Sequence, residues 1–202
     1  LKVEINQETG EMIIRGMGEL HLEVIETKIK DEFGIPIVTS EPIVVYRETI
    51  ENKTENIEGK TPNRHSKFYI TVEPLESEVV KLIESGQIRE GRPKGKDIVE
   101  TLVNAGMPRE QAKNIVDISN NSILIDATHG VQYMDEVMEH VIEGFEEAMS
   151  DGPLAREKCT GIKVLITDAF IHEDPVHRGP AQIIPAIKRP IYAGMLLAGV
   201  IL

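Results

Sequence analysis

The longest periodic pattern in the sequence lies between residues 131 and 149. Short apolar runs typical of buried strands precede and follow it, at residues 122–127 (SILIDA) and 161–170 (GIKVLITDAF). A strand, a long amphipathic helix and a second strand in this order predict a sheet covered by helices, and hence an α+β fold. The apolar residues of the helix recur on one face: Val131, Met134, Val137, Met138, Val141, Ile142, Phe145 and Met149.

A hairpin is predicted upstream of this unit. Residues 43–50 and 67–75 have strand-like patterns, and the polar segment between them ends in a loop over residues 61–66, TPNRHS. This loop carries Asn63, Arg64 and His65. Apolar spacing and stop signals predict further helices over Glu76–Ser85, Asp97–Ala105, Pro108 to about Asp117, and Gln182 to about Ala198.

The first 41 residues form a separate pattern. Residues 1–5 and 11–15 alternate as in a hairpin, residues 19–33 have helical spacing, and residues 35–40 return as a strand. A ββαβ unit of this size buries little core alone, so we expect a partner element before it and a domain boundary near Pro42. The chain starts without Met and stops in MLLAGVIL without a helix-ending signal, so we expect a fragment of a longer protein.

Charge and cysteine content limit the functions that the chain can have. The net charge of −12 repels nucleic acid over most of the surface, yet residues 59–72 and 175–202 contain no acid and several bases. A single cysteine and no signal peptide indicate the cytoplasm, and the apolar run at 191–202 is too short to span a membrane.

The stretch HEDPVHRGPAQ, residues 172–182, follows a predicted strand and precedes a predicted helix. Its second histidine, His177, therefore lies just before a helix N-terminus, where backbone N–H groups favour an anionic oxygen. Arg178 would donate to phosphate in bidentate fashion, and Gly179 would permit the turn and let a backbone approach closely. Together with the loop at 61–66, this predicts contact with single-stranded or looped RNA, whose bases can meet His65 and His177.

Other interpretations of the same residues remain open. His172, Glu173, Asp174 and His177 could bind a metal ion, which would make a small metal-dependent hydrolase acting through His172, Asp174 and His177. A histidine acid–base catalyst is possible, although no nucleophile motif accompanies it, and the histidines could simply cap a loop. The segment GRPKGKD is not a phosphate-binding loop, because only three residues separate its glycines and no hydroxyl follows Lys96.

Four long strings of the sequence are specific enough to compare with known families: GMGELHLEVI (16–25), SEPIVVYRETI (40–50), TPNRHSKFYI (61–70) and HEDPVHRGPAQIIPAIKRPIYAGMLLA (172–198). They resemble the translation elongation factor 2 family, the ribosomal translocases of archaea and eukaryotes. The resemblance covers essentially the whole chain, and Pro180-Ala181 is more similar to the archaeal members.

The resemblance implies a fold and a domain organisation. Residues 1–41 would be the C-terminal part of domain III, a ferredoxin-like unit that lacks its first strand and helix. Residues 42–202 would be domain IV, a two-layer α+β domain with a left-handed βαβ crossover. The G domain, with its GTP and magnesium, would be absent, so no catalytic site and no cofactor are expected here.

The resemblance also implies site residues and partners. His177 matches the histidine that the family converts to diphthamide, and the expected partners are the ribosome, tRNA, mRNA and the diphthamide-synthesis enzymes. The fragment is expected to be a cytoplasmic monomer without membrane contact or bound metal. The residues expected to contact RNA are Asn63, Arg64, His65, Lys67, His172, Asp174, Arg178 and Gly179.

Overall fold

The computed structural model describes residues 2–5, 12–42, 44–93 and 95–202. They form two compact units, one within residues 1–45 and one spanning residues 46–202. No helix in these described ranges is long and apolar enough to cross a lipid bilayer.

The first unit contains one hairpin and one helix. Strands β1 (Lys2–Ile5) and β2 (Met12–Arg15) pair antiparallel, with Lys2 opposite Arg15, and helix α1 spans Glu19–Asp31. These elements agree with the predicted ones; the connection at residues 6–11 lies outside the described residues.

The strand predicted at residues 35–40 is wrong, because this segment is irregular and pairs with no described strand. A strand needs a hydrogen-bonded neighbour to be stable. No residue of α1 is buried, and large side chains such as Leu20 (73% exposed) and Phe33 (69%) face solvent.

The second unit contains both strands and helices. The elements in chain order are β3 (Thr49–Ile50), β4 (Thr54–Lys60), β5 (Lys67–Pro74), α2 (Ser77–Glu84), α3 (Lys96–Asn104), α4 (Arg109–Lys113), β6 (Ile115–Ser119), β7 (Ser122–Asp126), α5 (Met134–Ser150), β8 (Ile162–Phe170), α6 (Pro180–Ala198) and β9 (Val200–Ile201).

Five of these strands form one sheet with the order β4-β5-β8-β7-β6. Strands β7 and β8 are parallel and joined through helix α5, whereas the other neighbours in this sheet are antiparallel. The predicted α+β class is confirmed.

Hydrophobic residues cover both faces of this sheet. On one face, Leu124, Val164 and Ile166 pack in a cluster with α5 and α6. Their neighbours Ile123 and Leu165 point the other way and pack with α2, α3 and α4. Strands that are apolar on both faces must be covered twice, so short helices add a partial third layer over β6–β8 to the two layers predicted.

Two segments differ from the predicted elements. The helix predicted from Pro108 to about Asp117 ends at Lys113, because residues 115–119 form β6, whose apolar side chains are buried against β7 and its helices. Of the strand predicted at residues 43–50, residue 43 lies outside the described residues, and residues 44–50 are regular only at Thr49–Ile50, which pairs with β9. The polar segment 54–60 forms β4 instead, and its composition suits an edge strand with one solvated side.

Candidate functional site

Two loops leave the sheet of the second unit at the same edge. Lys67, the first residue of β5, lies opposite Phe170, the last residue of β8. The first loop (61–66) precedes β5 and the second loop (171–179) follows β8, so the antiparallel pairing brings them together. The backbone N–H of His172 donates to Ser66 Oγ at 3.0 Å, and that of Asn63 donates to Gln182 Oε1 at 3.1 Å.

The first loop is stabilised by its own short polar side chains. Thr61 is buried, and its hydroxyl donates to Asn63 Oδ1 at 2.6 Å and accepts the backbone N–H of Ser66 at 3.0 Å. Arg64 has a left-handed backbone with φ of 63°, and its N–H donates to the carbonyl of Thr61. This turn leaves the side chains of Arg64 and His65 exposed.

The second loop contains a 3-10 turn over Pro175–His177. Asp174 caps it, because its carboxylate accepts the backbone N–H of Val176 at 3.0 Å. The backbone N–H of Asp174 donates to Nδ1 of His172 at 3.1 Å, so the proton of that neutral imidazole lies on Nε2. The backbone of the loop is thus fixed around His177.

Three imidazole rings meet where the two loops touch. The rings of His65 and His177 stack with their centroids 4.4 Å apart, and each lies 4.9 Å from the ring of His172. The Asn63 amide nitrogen is 3.3 Å from Nδ1 of His177. His177 is partly exposed and lies against polar and aromatic groups, so a ligand can reach one side of its ring.

Arg178 does not have the place that we predicted. It is only 6% exposed, its guanidinium pairs with the carboxylate of Glu136 and donates to the carbonyl of Glu173, and it lies 4.1 Å from the ring centroid of Tyr133. The phosphate contact predicted for Arg178 is therefore corrected. The Nε atom of Arg178 has no hydrogen-bond partner among the described residues, but it is buried, so a phosphate cannot reach the guanidinium in this arrangement.

The role predicted for Gly179 also changes. Its φ of −68° is accessible to any residue, so the turn does not need a glycine. A Cβ at this position would meet nothing within 4 Å. What remains of the prediction is the open space beside the backbone at the start of α6.

Lys67 and Arg64, two of the residues predicted to contact RNA, carry accessible cations. Lys67 is 41% exposed on its side chain, and its nearest acidic group is Glu58 at 3.8 Å, which also pairs with Lys60 at 2.6 Å. Arg64 makes no salt bridge to any residue in the described ranges. Arg64 is therefore the stronger candidate for contact with an anionic ligand.

The geometry does not favour the alternative of a metal-dependent hydrolase. Within the described ranges, no group of three His, Cys, Asp or Glu side chains is arranged to bind a metal ion. Nδ1 of His172 accepts a backbone N–H, and Nδ1 of His177 faces the Asn63 amide. These nitrogens are used within the two loops, and no observation supports a metal centre there.

The residues that hold the loops in place were not predicted from the sequence. Thr61 and Ser66 flank the first loop, and their hydroxyls could have been predicted to bond to its backbone. Tyr133 and Glu136 had no such signal, because Glu136 lies 42 residues before Arg178.

Comparison with known proteins is consistent with the mixed α+β fold. Residues 86–199 match the family described as elongation factor G, domain IV, and residues 1–41 match elongation factor G, domain III. The chain is 53% identical to elongation factor 2 of Methanosphaera stadtmanae over 98% of this chain and 27% of that protein. It is 56% identical to elongation factor 2 of Methanopyrus kandleri, over 98% of this chain and 16% of that protein.

A third relative, elongation factor 2 of Thermoplasma volcanium, is 53% identical over 96% of this chain and 27% of that protein. The chain thus spans about a quarter or less of the length of these curated relatives. The predicted resemblance to elongation factor 2 is confirmed. With the family match covering more than half of its residues, the chain belongs to the elongation factor G domain IV family.

Proposed function

We propose that this chain is part of a ribosomal translocase, and that its loops at residues 61–66 and 171–179 contact tRNA and mRNA in the decoding region during translocation. The observation that carries the proposal is the meeting of two loops that place His65, His172 and His177 within 4.9 Å of one another at one edge of the sheet. The name elongation factor 2 of the relatives supports the same function.

The exposed groups of the site suit RNA. Imidazole rings offer flat faces on which unpaired bases stack, and Asn63 adds an amide that can bond to base edges. Arg64 and Lys67 supply charge for phosphate, while the open backbone at Gly179 gives room for a ribose or phosphate. The acidic body of the chain, with a net charge of −12, would confine RNA contact to this edge.

We further propose that His177 is the residue converted to diphthamide by the diphthamide-synthesis enzymes. Its ring is partly exposed, and the second loop fixes its backbone through the N–H bond to the carbonyl of Asp174 at 3.1 Å. A cationic arm on this ring would add a mobile charge beside the accessible cations Arg64 and Lys67. GTP binding and hydrolysis would lie in other parts of a longer cytoplasmic protein.

Charge reversal tests the RNA contact. In the full-length factor, Arg64→Glu combined with Lys67→Glu should slow single-round translocation by about tenfold or more and leave GTP affinity without ribosomes unchanged, since two phosphate contacts become repulsive. The control Lys158→Glu reverses an exposed charge shortly before β8, at the opposite end from Phe170. Equal loss of translocation in the control, or none in the double variant, would count against the proposal.

Mass spectrometry tests the modification. In a host that makes diphthamide, peptides should carry added mass on His177 and none on His172 or His65. The same protein from a host without the pathway is the control and should show an unmodified His177. Added mass on His172 would overturn the assignment.

A further inference from the structure

Arg178 directly follows His177 and is engaged on three sides. One nitrogen of its guanidinium pairs with Glu136 in the first turn of α5, and another donates to the backbone carbonyl of Glu173. The flat side of the group lies over the ring of Tyr133 at 4.1 Å. A planar, delocalised cation can make all these contacts at once, which an ammonium group cannot.

Tyr133 reaches this position through an unfavourable backbone. It precedes α5 with φ of 65°, in the left-handed region where residues with a side chain are uncommon. A glycine would satisfy that backbone without strain, but it would remove the ring beneath Arg178. Strained backbone of this kind persists only where the surroundings hold it in place and clusters at functional sites.

The contact with Glu173 closes the second loop on itself. The guanidinium of Arg178 donates to the carbonyl of Glu173, five residues earlier, and the backbone N–H of Arg178 donates to the carbonyl of Pro175 at 3.0 Å. His177 lies between these two connections. Its ring can therefore stack on His65 and meet Asn63 only while the loop stays closed against α5.

We propose that Arg178, Tyr133 and Glu136 form a clamp that positions His177 against His65 and Asn63. Arg178 then acts on RNA contact through His177 and does not bind phosphate itself. The role of the clamp in RNA contact rests on the proposed function, but the contacts that form the clamp do not depend on that function.

Glu136 allows the clamp to be tested without disturbing the core. Its side chain is 58% exposed even though Arg178 is buried, so Glu136→Gln removes the charge and leaves no cavity. Glu139, one turn further along α5 and also exposed, makes no salt bridge within the described residues. Glu139→Gln is therefore a matched control with the same change in net charge on the same helix.

Nuclear magnetic resonance of this chain gives a direct readout. With labelled histidines, cross-peaks between the rings of His65 and His177 should fall by about half or more in Glu136→Gln and Tyr133→Leu, because the nuclear Overhauser effect decreases steeply as the rings separate. Arg178→Lys should keep only part of the cross-peak intensity of the unchanged chain, because an ammonium group cannot make all the contacts of the guanidinium. A purely structural role for Arg178 would lower the thermal midpoint and leave these cross-peaks in place, and unchanged cross-peaks in Glu136→Gln would overturn the clamp.

A second measurement separates this inference from the proposed function. In the full-length factor, Glu136→Gln should slow translocation by about tenfold, as small displacements of a contacting group do, and Glu139→Gln should not. If His177→Ala fails to slow translocation while the cross-peaks behave as expected, the proposed function fails and the clamp stands. If His177→Ala slows translocation but Glu136→Gln changes neither readout, the clamp fails and the function stands.

Discussion

The two loops of the site each carry an arginine; one arginine is exposed to solvent, and the other is buried and holds its loop in place. The first loop is held by Thr61 and Asn63, so Arg64 stays exposed and makes no salt bridge to a described residue. The second loop is held to α5 by Arg178 itself, which is buried. A cation beside a histidine in a loop can therefore be part of a binding surface or part of its support, and burial decides which.

The largest difference should appear on truncating the two arginines. Arg178→Ala removes a buried side chain together with its contact on Tyr133 and its bond to the Glu173 carbonyl, and truncating a buried side chain of this size costs about 2–5 kcal/mol of unfolding free energy. Chemical denaturation measures this loss. The contrast with Arg64 would collapse if Arg178→Ala were as stable as the unchanged chain.

A second buried ionisable group differs from Arg178 because it has no opposite charge beside it among the residues that the structure describes. Asp117 on β6 is 4% exposed, and one of its carboxylate oxygens has no hydrogen-bond partner within the described residues. Burial, and then the nearby charge of Glu146, raise the pKa of Asp117 from 3.8 to about 6. The ionised carboxylate thus destabilises the fold, whereas Arg178 has the carboxylate of Glu136 as a partner.

The pH dependence of Asp117 follows from this raised pKa. Well below the ordinary pKa of 3.8 the group is protonated in both states, and well above the folded pKa of about 6 it is ionised in both and the folded state bears the full cost, so stability falls as pH rises between these values. The unfolding free energy of the unchanged chain minus that of Asp117→Asn should fall by about 2–3 kcal/mol from pH 4 to pH 7. Urea titrations at several pH values measure it.

A substitution at Glu146 checks the pH dependence expected for Asp117. Glu146→Gln removes the second cause of the raised pKa of Asp117 and should shrink the pH dependence without abolishing it. A difference between the chain and Asp117→Asn that rises with pH would contradict the assignment.

How far the sequence predicted this molecule depends on how local each signal was. The loop at residues 61–66 with strand β5 after it, helix α5 and strand β8 follow from the spacing of neighbouring residues, so they could be read from the pattern, whereas the strand that enters the loop lies at residues 54–60 and not at residues 43–50. Strand β6 could not, since its five residues resemble the end of a helix until β7 pairs with them. The role of Arg178 depends on Glu136, 42 residues away, and no local pattern encodes that contact.

The internal support of the first loop is open to a milder test. Thr61→Val keeps the shape of a buried residue but removes the acceptor for the Ser66 N–H, and an unsatisfied buried donor costs about 1–3 kcal/mol. Faster hydrogen exchange at the Ser66 amide should accompany the loss. Thr101→Val, which removes an exposed bond on α3, is the control and should cost less.

The smallest effect on stability is expected at Arg64, the residue to which the proposed function assigns a direct contact with phosphate. Arg64→Ala removes an exposed side chain without an ion partner among the described residues, so the unfolding free energy should change by less than about 0.5 kcal/mol. The left-handed φ of 63° is as unfavourable for alanine as for arginine, so the strain of the turn cancels in this comparison. Binding to an RNA oligonucleotide should nevertheless weaken, and the slope of log affinity against log salt should fall by about 1, because one phosphate contact is lost. An unchanged slope would mean that Arg64 contacts no phosphate, and the two arginines would then differ in burial but not in function.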